Sequence, residues 1–336
     1  PELPAHAPPA WQFSSPGGAT RPSEDTAVNQ VTHEPEVLIT GGLGRLGYAA
    51  ASHLASLGYR VTLVDIIDAD RLPTDTHSGI RYFQHDVLHS SSLSSLLEGH
   101  DSVLHFACTT TPYTSEQNPY ADITDNVEGT LRLFEACQKA GVRRFIFPSS
   151  GGTIYGNAST IPTPESDLPR PIGLHGAMKL STELFLRARE KRGRTACTVL
   201  RIANPYGMGA NVRGAQGIID TFVLRLRAGD SIDVWGDGAT VRDYIHVDDV
   251  SAAFTVVLGH EPLSGLFNIG TGTGTSIRQV LAMLSDYFDL DGRVHWLPPR
   301  DIDVAQSTLN IDLAISSLGW RPVIDLRAGL ERLING

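Results

Sequence analysis

The sequence has few cysteines, few aromatic residues and no long apolar run. Its three cysteines, Cys108, Cys137 and Cys197, form no CxxC pair, which argues against a disulfide framework and a zinc site, so we expect no metal. No apolar run approaches the roughly 20 residues that a membrane-spanning helix needs, and no basic-then-apolar secretion signal opens the chain. We therefore expect a soluble, cytoplasmic protein.

Positive charge is also in the minority. The chain carries 27 Lys and Arg against 37 Asp and Glu, a net charge of −10. This balance argues against nucleic acid or an anionic membrane surface as a partner. A phosphorylated small ligand remains compatible with it, because one arginine in a cleft binds such a ligand locally.

Short apolar segments alternate with helical stretches from Glu36 onward. This order is typical of a doubly wound parallel sheet. The predicted strands are Val37–Ile39, Arg60–Val64, Val103–Phe106, Phe145–Phe147, Cys197–Ile202 and Phe267–Ile269; the predicted helices are Tyr48–Leu57, Asp122–Lys139, Gly176–Lys191 and Ile218–Arg227. We predict an α/β fold: a Rossmann-type doubly wound parallel sheet with a smaller C-terminal α/β domain that binds the substrate.

Composition and the alternation of predicted strands and helices suggest the domain bounds. Residues 1–34 are rich in Pro, Ala, Ser, Thr and Gly without apolar periodicity, and we expect them to be a disordered extension. We assign residues 35–204 and about 243–270 to the cofactor-binding domain. Residues 205–242 and about 271–336 are assigned to the substrate domain, with Phe267–Ile269 returning to the first sheet.

A glycine loop lies between the first predicted strand and helix, in the segment TGGLGRLG that begins at Thr40. Glycines let the backbone approach a pyrophosphate, and a helix N-terminus offers free N–H groups to it. Asp65 ends the next strand, where a carboxylate binds the ribose hydroxyls of NAD and repels the extra phosphate of NADP. We therefore predict an NAD site, with Asp86 and Val87 at the adenine. Its loop residues are Gly41, Gly44, Arg45, Leu46 and Gly47.

Nine stretches together resemble the extended short-chain dehydrogenase/reductase family, most of all its nucleotide-sugar 4-epimerases and their relatives. In chain order over about residues 36–322 they are TGGLGRLG, HDV, HFAC, NVEGTLRLFEACQKAGVRRFIF, SSGGTIYG, RIANPYG, VWGDGATVRDYIHVDDV, FNIGTG and LGWRP. The resemblance implies that NAD takes a hydride from a sugar carbon and later returns it. It also implies NAD contacts at Ala107 and Lys179, and a homodimer formed through the helices near Asp122–Lys139 and Gly176–Lys191.

The catalytic motif departs from the family pattern at two places. The family carries its proton on a tyrosine four residues before a lysine; here the lysine is Lys179, and His175 occupies the tyrosine position. The catalytic Ser or Thr of the family falls at Gly151, so Thr153 and Ser150 are the candidate hydroxyls.

The histidine leaves three interpretations open. His175 replaces the tyrosine as acid/base, although an imidazolium beside Lys179 is disfavoured by like charge. Alternatively Tyr113, Thr153, Tyr155 or Cys108 moves the proton, or the hydride chemistry is lost and the protein only binds its ligands.

On the substrate side, the resemblance implies a nucleoside-diphosphate sugar. A guanidinium suits a phosphate because it offers two parallel N–H donors. The resemblance favours epimerisation over dehydration, because sugar 4,6-dehydratases carry an Asp-Glu pair after the catalytic threonine and here Thr153 is followed by Ile154. A dehydratase or oxidoreductase acting on a sugar nucleotide or nucleoside is the alternative, beside the non-catalytic binding protein. The implied substrate contacts are Cys108, Asn204, Arg242, Arg300 and Asp303.

Overall fold

The structure is a computed structural model that describes residues 36–72, 76–90, 92–208, 217–300 and 304–335. The extension expected at residues 1–34 and the candidate residue Asp303 lie outside the described residues.

Thirteen strands are present in the described part of the chain. They are β1 (Glu36–Thr40), β2 (Arg60–Asp65), β3 (Ile80–Gln84), β4 (Ser102–His105), β5 (Arg144–Ser150), β6 (Ala196–Ile202), β7 (Asn204–Tyr206), β8 (Ile232–Trp235), β9 (Val241–His246), β10 (Gly265–Ile269), β11 (Gly274–Ser276), β12 (Val294–Leu297) and β13 (Gln306–Ser307).

The α-helices of the same residues are α1 (Arg45–Ser56), α2 (Ser94–Leu97), α3 (Pro112–Gln117), α4 (Pro119–Ala121), α5 (Gly129–Ala140), α6 (Gly151–Ile154), α7 (Leu174–Glu190), α8 (Ile218–Arg227), α9 (Val247–Gly259), α10 (Ile277–Leu284), α11 (Asp312–Leu318) and α12 (Leu326–Asn335). A 3₁₀ turn covers Ala69–Arg71, and a π-helix covers Asp122–Glu128.

The large sheet has seven parallel strands in the order β3-β2-β1-β4-β5-β6-β10. The strand order reverses between β1 and β4, which creates a crevice at the carboxyl ends of these two strands. This is the predicted Rossmann-type sheet, and β10 returns to its edge as expected.

Helices cover both faces of this sheet, which explains the continuous apolar run in β1. Val37 and Ile39 face one core cluster together with Phe254 of α9, whereas Leu38 faces a second cluster with Phe134 of α5. The alternation places α1 and α9 on one side and α5 and α7 on the other. No helix among the described residues has both the length and the apolar character to cross a membrane.

The C-terminal part forms a smaller α/β unit. Strand β9 pairs with β7, β11 and β13, and β8 pairs in parallel with β12. A third core cluster joins β7, β8, β9 and β12 to α8, α10 and α12. The domain bounds remain a prediction; the predicted boundary at about residue 243 falls inside β9.

One predicted helix differs in type from the structure. The segment predicted as a single helix over Asp122–Lys139 begins as the π-helix and continues as α5 from Gly129. A π-helix carries one extra residue per turn, and such turns are frequent at functional sites. The different pitch changes which residues of this segment face α7.

Candidate functional site

The glycine loop lies in the crevice between β1 and β4. Gly41 has φ of +65°, and a Cβ built on it would lie 2.6 Å from the Ala107 backbone nitrogen. Only glycine therefore lets the two strand ends approach in this way. The free N–H groups of α1 follow directly, so the loop fits the pyrophosphate of a dinucleotide.

Asp65 lies beside this loop at the end of β2. Its carboxylate accepts hydrogen bonds from the Leu43 nitrogen at 2.9 Å and the Ile66 nitrogen at 2.8 Å. The aspartate therefore holds the loop as well as offering an acceptor to a ribose. No cation follows it in the sequence Ile66-Ile67, so the residues fit NAD better than NADP.

The other predicted cofactor residues have different surroundings. Asp86 accepts from the Leu88 nitrogen at 3.0 Å and binds the His89 ring, while Val87 is buried. Arg45 directs its side chain away into a buried ion pair with Asp220. Gly44, Leu46 and Gly47 lie at the start of α1.

Lys179 lies below the carboxyl end of β5. Its Nζ donates to the Pro148 carbonyl oxygen at 3.2 Å and lies 4.8 Å from the centre of the Phe147 ring. Ser150 ends the same strand, and the Thr153 hydroxyl donates to the Ser150 hydroxyl at 2.8 Å. Helix α6 packs against α7, so the structure brings the two candidate hydroxyls and the lysine to one edge of the sheet.

His175 occupies the second position of α7, one turn before Lys179. Burial, followed by the Lys179 charge, lowers the pKa of His175 to about 4, against the opposing effect of Asp122. The imidazole is therefore neutral at pH 7. Its Nδ1 atom is buried and has no hydrogen-bond partner.

The alternative proton carriers are unequal. Tyr155 is buried and donates to Asn268 Oδ1 at 2.8 Å, and burial raises its pKa to about 12. This phenol is engaged in the core. Cys108 donates to the Thr110 carbonyl oxygen at 3.3 Å, and Tyr113 is exposed on α3.

Two of the candidate substrate residues, Asn204 and Arg242, are held by backbone carbonyl oxygens. Asn204 lies against Gly152 and donates to the Asp243 carbonyl oxygen at 3.2 Å. Arg242 donates to the Val304 carbonyl oxygen at 2.6 Å.

Arg300 has an aromatic neighbour that the sequence reasoning missed. Its guanidinium lies 5.1 Å from the centre of the Trp235 ring, and Trp235 is 41% exposed. An exposed indole offers a flat face to a nucleobase. The available signal was the alternation in β8, Ile-Asp-Val-Trp, where isoleucine and valine are buried and tryptophan is not.

Three features lie at the carboxyl ends of the parallel strands: the glycine loop, Asp65 at the end of β2, and Lys179 on α7. Together they are typical of an NAD-binding α/β enzyme. The model of the NAD dependent epimerase/dehydratase family matches residues 37–270. The chain belongs to this family, its cofactor is NAD, and it is an enzyme of the epimerase/dehydratase type.

Curated relatives and a solved structure are similar over most of the chain. The chain is 32% identical to the dTDP-4-dehydro-6-deoxyglucose reductase of Escherichia coli, covering 89% of this chain and 96% of that protein. It is 31% identical to the UDP-glucose 4-epimerase of Mycolicibacterium smegmatis, covering 88% and 96%. The structure of the Thermotoga maritima UDP-glucose 4-epimerase with UDP-glucose superposes with a TM-score of 0.80 at 33% identity, covering 89% and 97%.

Proposed function

We propose that this enzyme is a 4-epimerase of a nucleoside-diphosphate sugar, with His175 as its acid/base. The observation that carries the proposal is the neutral His175 one helical turn before Lys179, at the sheet edge that also holds Ser150 and Thr153. Residues one turn apart share a helix face. The similarity to UDP-glucose 4-epimerases supports the reaction type.

NAD, when bound, supplies reversible acceptance of a hydride from the sugar carbon. In the proposal, the neutral imidazole of His175 takes the proton of the sugar hydroxyl while the carbon gives up its hydride. The Ser150–Thr153 hydroxyl pair hydrogen-bonds the same sugar oxygen. The hydride then returns to the opposite face of the carbon while His175 returns the proton to the sugar oxygen, which completes the epimerisation with no net oxidation.

The low pKa of His175 affects the two proton transfers in opposite ways. An imidazolium near Lys179 is disfavoured, so the imidazole is a weaker acceptor than an unperturbed histidine. The same perturbation makes the imidazolium a stronger acid, which speeds return of the proton. An epimerase needs both transfers from one group, so the perturbation does not exclude the role.

Arg242, Arg300 and Asp303 form the diphosphate and ribose contacts in this proposal, with Asn204 and Cys108 nearer the sugar. The exposed Trp235 beneath the Arg300 guanidinium supports a ligand that contains a nucleobase. A flat aromatic face stacks on any base, so this feature favours a nucleotide without selecting one.

The second candidate is reduction of a 4-keto sugar nucleotide. It is favoured by the similarity to the E. coli reductase, whose name states such an activity. The same binding residues serve both reactions. A reductase would take up NADH together with a keto sugar and release NAD+ with the reduced sugar, whereas an epimerase returns to each sugar the hydride that it took from it. Dehydration remains the third outcome.

Assembly and location belong to the same proposal. Ile123 on the π-helix and Leu184 and Phe185 on α7 are large apolar side chains that are more than half or about half exposed. A homodimer through these two elements would cover them, as the family resemblance implies. A cytoplasmic location is supported by Cys108, Cys137 and Cys197, which are all free thiols.

The test is incubation of the purified enzyme with NAD and a panel of UDP-, dTDP- and GDP-sugars, and separately with NADH and 4-keto sugar nucleotides, read by mass spectrometry and NMR. Unchanged mass with inverted stereochemistry supports the epimerase. A keto-sugar nucleotide that consumes NADH and gains two mass units supports the reductase. Loss of 18 mass units identifies a dehydratase, and no change with any sugar contradicts the proposal.

A further inference from the structure

His105, the last residue of β4, is a buried histidine that the proposed reaction does not use. Its ring lies 5.7 Å from the Phe145 ring and 6.3 Å from the Phe147 ring, measured between ring centres, and the residue is 1% exposed. Burial, followed by the Lys179 charge, lowers the pKa of His105 to about 3, so the imidazole is neutral at pH 7. A polar ring in such surroundings is costly unless its nitrogen atoms find hydrogen-bond partners.

Both ring nitrogens of His105 have a partner, and both partners are threonines. Nδ1 lies 2.7 Å from Thr40 Oγ1, Nε2 lies 2.8 Å from Thr130 Oγ1, and both threonines are buried. A neutral imidazole donates at one nitrogen and accepts at the other, and a hydroxyl can do either. The link from Thr40 through His105 to Thr130 is therefore complete in either tautomer.

Thr40 connects this link to the glycine loop. It is the last residue of β1, directly before Gly41. Its carbonyl oxygen accepts from the Phe106 nitrogen at 2.9 Å, and its hydroxyl, already bound to His105, accepts from the Ala107 nitrogen at 3.5 Å. Ala107 is also the residue against which Gly41 packs too closely for a side chain. His105 therefore fixes the Thr40 hydroxyl at the point where the glycine loop meets the end of β4.

Thr130 connects the link to the segment that follows β3. It is the second residue of α5, and a Cβ on its neighbour Gly129 would lie 2.9 Å from the Leu88 carbonyl oxygen. Arg132 Nη2 donates to the same carbonyl oxygen at 2.7 Å. Leu88 directly follows Val87, a candidate adenine contact. The start of α5 therefore holds the segment that we expect at the adenine.

We propose that His105 is a positioning residue for NAD. Through Thr40 and Thr130 it sets the place of the glycine loop, which we expect at the pyrophosphate, relative to the segment that we expect at the adenine. One dinucleotide has to reach both segments, so small errors in their spacing weaken its binding. His105 acts through its two threonines and does not itself contact the cofactor. The inference goes beyond the proposed sugar reaction, and NAD binding tests it whichever sugar the enzyme turns over.

The first experiment measures NAD affinity by calorimetry on cofactor-free protein, together with a urea titration of each variant. His105→Phe keeps an aromatic ring beside Phe145 and Phe147 and removes both hydrogen bonds. Thr130→Val removes one hydroxyl with little change of shape. We expect the NAD dissociation constant to rise about 10- to 100-fold in His105→Phe and about 3- to 30-fold in Thr130→Val, because the glycine loop is no longer held in place.

The matched control is Thr195→Val. Thr195 is buried, and its hydroxyl donates to the Val142 carbonyl oxygen at 2.7 Å, at the amino end of β6, whereas the glycine loop follows the carboxyl end of β1. This change also removes a buried hydroxyl, and it should lower stability without changing NAD affinity. If His105→Phe and Thr130→Val behaved like the control, the link would only stabilise the fold and the proposal would be wrong. Thr130→Val decides alone if His105→Phe does not fold.

The second experiment tests the spacing of the two segments. AMP carries the adenine and a single phosphate, so it depends less than NAD does on this spacing, and we expect His105→Phe and Thr130→Val to lose less affinity for AMP. Equal losses for AMP and NAD would overturn the proposal.

A double variant tests whether the link acts as one unit. Thr130→Val should weaken NAD binding no further in a His105→Phe background, because the link is already broken there. An additive loss of NAD affinity would contradict the proposal. Absence of sugar turnover together with the expected NAD affinities would contradict the proposed function and leave the role of His105 standing.

Discussion

The guanidinium of Arg45 lies 3.0 Å from the carboxylate of Asp220, and both side chains are almost completely buried. Arg45 is the first residue of α1, directly after the glycine loop, whereas Asp220 is the third residue of α8 in the smaller domain. Asp220 also accepts from the Met208 nitrogen at 2.9 Å. The ion pair thus ties the start of α1, next to the glycine loop, to α8 of the smaller α/β unit.

Breaking this pair should destabilise the protein strongly. Asp220→Asn removes the carboxylate charge from this buried ion pair, and we expect a loss of about 3–5 kcal/mol in the free energy of unfolding. Urea titration measures it. The control is Asp233→Asn, whose pair with Arg225 is exposed at 3.4 Å and should contribute about 0–1 kcal/mol. A loss below about 1 kcal/mol in Asp220→Asn would show that this ion pair does not stabilise the contact between α1 and α8.

The fold was largely predictable from the sequence because its signals are local. Alternating strands and helices, the glycine loop and Asp65 each report a structure within about one βαβ unit. The partner of Arg45 was not predictable in this way, because Asp220 is distant in sequence and lies on α8 of the smaller α/β unit. Sequence spacing placed Arg45 in the cofactor loop, and only the three-dimensional packing shows where its side chain goes.

We expect the activity to depend on pH through His175, at a pH well below the range in which an ordinary histidine titrates. The neutral imidazole is the base, so activity falls as pH drops through the His175 pKa of about 4. We expect a kcat profile that is flat across pH 6.5, where an ordinary histidine titrates. A fall centred near pH 6.5 would show that another group is the base, or that His175 is more accessible to water.

Removing the imidazole should abolish turnover and spare cofactor binding. His175→Ala is expected to lower kcat about 10²- to 10⁴-fold, while calorimetry shows unchanged affinity for NAD. His53→Gln, a histidine in the last turn of α1, serves as the control. Unchanged turnover in His175→Ala would mean that another side chain, such as Thr153, Tyr113 or Cys108, acts as the acid/base.

Asp65 should set the choice between NAD and NADP. Asp65→Ala removes an acceptor of the ribose hydroxyls, and we expect NAD affinity to fall about 10- to 100-fold, with NADP affinity rising relative to it. Calorimetry with both cofactors measures this. Asp68→Ala removes an exposed carboxylate three residues later and should leave the ratio unchanged. Equal losses for both cofactors would mean that Asp65 acts only by holding the Leu43 nitrogen.

The candidate site was predictable to the extent that its residues lie in motifs. His175, Lys179, Ser150 and Thr153 come from two short segments that the fold places together. Asp122 carried no such signal, because a π-helix has no pattern that distinguishes it from an α-helix over so few residues. Its surroundings, with three hydrogen-bond donors on one carboxylate oxygen, follow from the packing of the folded chain.

The packing around Gly151 leaves little space for a side chain at the position where the family resemblance implies a serine or threonine. A Cβ on Gly151 would lie 2.5 Å from Leu309 Cδ1, and Leu309 is 1% exposed. Restoring the hydroxyl with Gly151→Ser therefore overpacks the core, and we expect a loss of about 1–3 kcal/mol in the free energy of unfolding. Adding Leu309→Ala should make the Gly151→Ser change less costly than it is alone, because the clashing methyl group is gone.

The neighbouring glycine provides the comparison. A Cβ on Gly152 would meet Asn204 Oδ1 only at 3.4 Å, so Gly152→Ala should change the free energy of unfolding by less than Gly151→Ser. Urea titration of Gly151→Ser, Leu309→Ala, their double variant and Gly152→Ala separates a steric cause from a general intolerance of side chains in α6. If Gly151→Ser were as stable as the unaltered chain, steric exclusion by Leu309 would be wrong, and the site would have room for a hydroxyl at this position.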